Sequence, residues 1–101
     1  MKKIPMSEVE ALYHRHVGGH WFDIATMKFF ESRLPGYAYV TPKGHYFISQ
    51  ERSLSGKAAF TIRLQDPATF KISTVGEFHA HLTHAAALEA LAPLLREAEH
   101  V

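Results

Sequence analysis

Residues 59–65 read AFTIRLQ, and their alternation decides the fold class. Phe60, Ile62 and Leu64 fall on one side of an extended chain; Thr61, Arg63 and Gln65 fall on the other. Period-2 alternation of this kind predicts a strand covered on one face only, as in an antiparallel sheet. Upstream, Tyr37 to Thr41 is rich in aromatic and β-branched residues, Pro42-Lys43-Gly44 is a turn, and His45 to Gln50 is a second strand. Ser53 to Lys57 is the next loop, and Asp66-Pro67 a further turn. Phe70 and Ile72 then face inward from a fourth strand, with Lys71 and Ser73 outward.

Helical patterns flank these strands. His20 to Pro35, HWFDIATMKFFESRLP, concentrates aromatic residues, which dominate core energetics. Asp23 suits an N-cap, and Ile24, Met27, Phe30 and Leu34 recur at helical spacing, so a helix is expected from about Asp23 to Arg33. Pro35 ends it. A shorter helix, about Glu8 to His16, is opened by a Ser7/Glu10 capping-box pair and closed by Gly18-Gly19. A second such pair, Thr74 and Glu77, opens a C-terminal helix carrying Phe78, Leu82, Ala85, Leu88, Leu91 and Leu95, with Pro93 late in it. The expected architecture is α+β, one domain over residues 1–101. It is a four-stranded antiparallel meander with helices packed on one face, in the order α-α-β-β-β-β-α.

Composition narrows the function classes. At 101 residues the chain builds one core and has little room for a deep cleft. Its 47% hydrophobic content argues for a folded globule over a disordered adaptor. A net charge of +1 lacks the bulk basicity of an obligate DNA binder but permits a local basic face. The absence of cysteine removes disulfides, thiolate metal sites and a cysteine nucleophile. No apolar run approaches the ~20 residues of a membrane span, and no signal-peptide pattern follows Lys2-Lys3.

Eight histidines prompt a metal reading, on His14, His16 and His20 or on His79, His81 and His84. The carboxylate spacing that accompanies helical zinc histidines is missing, so polar residues on amphipathic helices explain them better. No nucleophile elbow, paired-carboxylate arrangement or glycine-rich phosphate loop is present, so neither an enzyme nor a cofactor is expected. The outward sheet face and its loops are of more interest: Lys43, Arg52, Lys57, Arg63 and Lys71 fall there, interleaved with Tyr37, Tyr39 and Tyr46. Arginine and tyrosine dominate protein interfaces, and the same mixture suits phosphate contacts with base stacking. An ordinary solvated sheet face explains these positions equally well.

Several segments recur together in one known group. They are HWF-x3-TM-x-FF-x-SR at His20 to Arg33, YFISQE at Tyr46 to Glu51, FTIR at Phe60 to Arg63, and I-x-TVG-x-F at Ile72 to Phe78. In these the sequence resembles a family of small uncharacterised proteins of bacteriophages and bacterial mobile elements. Arg33, Glu51 and Arg63 are the motif positions that packing explains least. The resemblance implies a non-enzymatic accessory protein in bacterial cytoplasm. Such a protein binds a host protein, or a protein–nucleic acid complex, and inhibits or modulates it, as an anti-CRISPR or other anti-defence factor does. Arg33, Lys43, Arg52, Arg63 and Lys71 form the expected partner-binding set. Direct nucleic-acid binding through the basic, tyrosine-bearing face is the alternative.

Overall fold

The computed structural model of the chain describes residues 2–19, 37–52, 57–77 and 80–99, with 51 and 52 as backbone. The helix expected over Asp23 to Arg33 and most of the Ser53–Lys57 loop lie outside the described residues. Seven elements follow one another: β1 (Lys3–Pro5), α1 (Met6–His16), β2 (Tyr37–Thr41), β3 (Gly44–Arg52), β4 (Ala58–Gln65), β5 (Ile72–Val75) and α2 (His84–Glu99). The strands form one antiparallel sheet in the order β1-β2-β3-β4-β5. The meander therefore has five strands where four are expected. The additional one, Lys3–Pro5, sets Ile4 opposite Ala38 on the edge, and three residues are too few to display an alternation.

The register fixes which side chains share a face. Tyr46 sits opposite Leu64, Ile48 opposite Ile62 and Gln50 opposite Phe60; on the reverse face His45 meets Gln65, Phe47 meets Arg63 and Ser49 meets Thr61. Tyr46, Ile48, Phe60 and Ile62 form one core cluster with Ala87, Leu91 and Ala98 of α2. Ala38 and Phe47 form another with Ile4 and with Met6 and Val9 of α1. Helices do pack on the sheet, but these two take opposite faces rather than one. Thr61 and Gln65, expected to point to solvent, are fully buried, and Arg63 nearly so. Polar residues tolerate such burial when they hydrogen-bond one another.

The helix starts differ from those the sequence suggests. At α1, Pro5 occupies the N-cap with no side-chain cap bond, because the chain enters the helix directly from β1. Its C-terminus ends as expected near glycine: the amides of Val17 and Gly18 both donate to the Tyr13 carbonyl, and Gly18 has φ +97°. Thr74 does not cap a helix; it lies in β5 opposite Arg63. Strand-like pairing continues beyond β5, with Phe60 and His81 exchanging both backbone bonds at 2.8 and 3.2 Å. Only then does α2 begin, capped by Thr83, whose Oγ1 accepts from the Ala86 amide at 3.0 Å. Pro93 lies inside α2.

Candidate functional site

Two turns meet at one end of the sheet, because His45 pairs with Gln65 and Gln65 with Ile72. The first joins β2 to β3. Thr41 Oγ1 donates to the Gly44 carbonyl at 2.8 Å and accepts from the Lys43 amide at 3.2 Å. Gly44 has φ +132°, and a Cβ there would run into the Gln65 carbonyl, so glycine alone lets this turn close against β4. The second turn joins β4 to β5. The Asp66 carboxylate accepts from the amides of Ala68 at 2.8 Å and Thr69 at 2.9 Å. Those bonds hold its carboxyl below the usual carboxylate range, led by the one from Thr69.

Phe70 is not an inward-facing strand residue. It has φ +64°, a left-handed conformation that costs a non-glycine residue roughly 1–2 kcal/mol. The strained residue turns its ring onto His16, with centroids 4.2 Å apart and planes 17° from parallel. The last turn of α1 is thereby brought against the β4–β5 turn.

Gln65 joins all three pieces. It is fully buried. Its Nε2 donates to the carbonyl of Val9 in α1 at 3.1 Å and to that of Phe70 at 3.2 Å. Its Oε1 lies 2.9 Å from His45 Nδ1. Two carbonyl neighbours fix which way the amide points, so Oε1 accepts and His45 Nδ1 carries the donated proton. One side chain thus ties the start of β3, the middle of α1 and the β4–β5 turn into a single platform.

Lys43 and Lys71, one on each turn, project from this platform and are exposed. Arg15 and His14, exposed beside His16, stand at the same end. Asp66 belongs to it too. Glu97 of α2 approaches from the opposite face, where it and, more strongly, burial push the Tyr46 hydroxyl up.

The remaining predicted residues do not gather here. Arg63 is 9% exposed, with Nε donating to Ser49 Oγ at 3.0 Å and the guanidinium also donating to Thr74 Oγ1. It stitches β3, β4 and β5 together rather than facing a partner. Arg52 lies at the far end, opposite Ala58, with its side chain outside the description, and Arg33 lies outside the described residues. Lys57 is exposed at that far end. Tyr46 is buried, and Tyr39 is half-buried with the Lys3 ammonium 5.4 Å from its ring centre. Both tyrosines are on the α2 side, the reverse of Arg63. The single basic, tyrosine-bearing face is therefore not assembled among the described residues. Sequence reading missed Arg15 and Gln65; the basic last turn of α1 is visible in the sequence, but its meeting with Phe70 is a tertiary event.

Among the described residues, no group of three or more His, Asp or Glu is placed to hold a metal ion. His81 lies in the bridge with Phe60, the His84 ring is 5.8 Å from that of Phe60, and His20 and His79 lie outside the described residues. No helix among them is long and apolar enough to cross a membrane.

Residues 5–92 match a family of unknown function, DUF7447. The chain belongs to this family. No curated protein and no solved structure matches it. The DUF7447 match includes both turns, Gln65 and the last turn of α1, so the whole platform falls within it.

Proposed function

We propose that this DUF7447 chain is a non-catalytic binding protein. It serves as an accessory of a bacteriophage or mobile element, and it docks on a host protein complex to inhibit or redirect it, in the manner of an anti-CRISPR or other anti-defence factor. One observation carries the binding reading: Lys43 and Lys71 project from two turns that a single buried amide, Gln65, holds in register. Groups presented on a preorganised platform lose little conformational freedom on binding, which is how a small surface reaches useful affinity. The biological context rests on the motif resemblance at His20 to Arg33. Of the five predicted contact residues, Lys43 and Lys71 are the ones the platform presents, and Arg63 positions strands behind them.

The test is recovery of partners from bacterial lysate on the tagged protein, with half of the lysate treated with nuclease. A stoichiometric protein that survives nuclease is the expected result. Recovery of nucleic acid, or of proteins that disappear after nuclease, would replace this reading with direct nucleic-acid binding.

A further inference from the structure

Resting on that reading, we infer that the hairpin end receives an acidic protein segment, a loop or tail rich in Asp and Glu. The surface is built from three elements that are distant in sequence. Arg15 comes from the last turn of α1, Lys43 from the β2–β3 turn and Lys71 from the β4–β5 turn. Exposed His14 and His16 extend it along α1. The backbone at Lys2 reaches the same end, its carbonyl accepting from the Val40 amide at 2.9 Å. Cations placed on fixed turns make complementary contacts that set orientation and suppress wrong partners.

Two features select a protein over a nucleic acid. The exposed carboxylate of Asp66 lies in the same turn as Lys71, and Glu97 is exposed on α2. They oppose a continuous phosphate backbone, whose binding gains from every cation and loses at every carboxylate. A protein segment of mixed sequence accommodates them by placing neutral or basic residues there. Among the described residues, two aromatic rings near this end are also committed: Phe70 is stacked on His16 and Tyr46 is buried, so neither offers a free face on which a base could stack.

Fluorescence anisotropy with defined probes tests the assignment. The probes are a labelled peptide of alternating Glu and Ser, the matched Gln and Ser peptide, and oligothymidylate of the same net charge as the first. The proteins are the wild type, the triple variant Arg15→Glu, Lys43→Glu, Lys71→Glu, and the far-end control Lys57→Glu. All four positions are exposed, and circular dichroism verifies that the variants fold. The Glu peptide is expected to bind the wild type in preference to the other two probes. Its Kd rises about tenfold or more in the triple variant, and Lys57→Glu leaves it within about twofold. Equal binding by the triple variant, or tighter binding of oligothymidylate, overturns the assignment. If the Glu peptide fails while a nuclease-resistant partner is still recovered from lysate, the acidic segment is wrong and the binding reading stands. If no such partner is recovered either, both fall.

Discussion

Replacing Gln65 with leucine should loosen the whole hairpin end, because this one amide makes three tertiary hydrogen bonds from a fully buried position. Each is worth about 1 kcal/mol net, and leucine fills nearly the same volume, so cavity terms add little. The Val9 carbonyl lies within α1 and keeps its helical partner, and half-buried His45 can turn to water, which holds the cost toward the simple sum. The expected loss is about 3 kcal/mol, a large share of the ~5–15 kcal/mol that stabilises a domain of this kind. Urea denaturation should show a lower midpoint with an unchanged slope. Gln65→Glu provides a second arm. Its carboxylate would face the carbonyls of Val9 and Phe70 with no proton to donate, so at neutral pH it should be less stable than Gln65→Leu. Burial raises the pKa of the introduced acid above its unfolded value. Its stability should therefore be greatest in acid and be lost as pH rises through the folded pKa. A Gln65→Leu cost below about 1 kcal/mol, together with no acid recovery of Gln65→Glu, would refute Gln65 as the joint of the platform.

Gly44→Ala combines a left-handed φ with a Cβ aimed at the Gln65 carbonyl, and should cost about 2 kcal/mol or more by thermal denaturation; a neutral effect would mean the turn stands off from β4. Thr83→Ala should cost about 1 kcal/mol, whereas Ser7→Ala should stay within about 0.5, because Thr83 caps α2 while α1 starts without a side-chain cap. The reverse order in chemical denaturation would restore the capping-box reading of the first helix. Burial, aided by Glu97, raises the Tyr46 hydroxyl above the ordinary tyrosine pKa of about 10. Its contribution to stability is then complete below about pH 10 and is lost as pH rises through the higher folded value. Wild type should consequently lose more stability between about pH 9 and 12 than Tyr46→Phe; parallel curves would show that Tyr46 ionises as readily folded as unfolded.

The sheet was legible wherever a strand was long enough to alternate. Phe60, Ile62 and Leu64 do share a face, and the turns at Pro42–Gly44 and Asp66–Pro67 lie where their residues demand. What alternation could not disclose is that the opposite face is buried too. Thr61, Arg63 and Gln65 look like a solvated face in sequence because their types are polar, yet all three are buried; Arg63 is satisfied by Ser49 and Thr74 and Gln65 by His45, Val9 and Phe70, partners that have no periodic signature. Capping pairs misled for a related reason. Thr74 and Glu77 have the spacing of a capping box, but pairing with β4 holds residues 72–75 extended, and tertiary pairing overrides a local preference worth about 1 kcal/mol.

The same distinction applies to the candidate site. The exposure of Lys43 and Lys71 was readable because turns are surface elements, and a lysine in a turn is exposed almost regardless of the rest of the fold. Arg63 carried the stronger motif signal and proved to be interior: a position that packing explains poorly in one dimension was a polar joint between β3, β4 and β5. Arg15 was invisible as a member of the site because its placement depends on Phe70 adopting a left-handed conformation and stacking on His16. Exposure can be inferred from local chemistry, whereas convergence requires knowing which turns share an end. In this fold convergence passes through Gln65, an uncharged residue in the middle of the chain that no charge or motif criterion selects. A polar residue that completes an otherwise regular strand just before an Asp-Pro turn is thus a better guide to the convergence of loops than the cations around it. It tells which loops are held together, and only loops that are held together can present their charges as one surface.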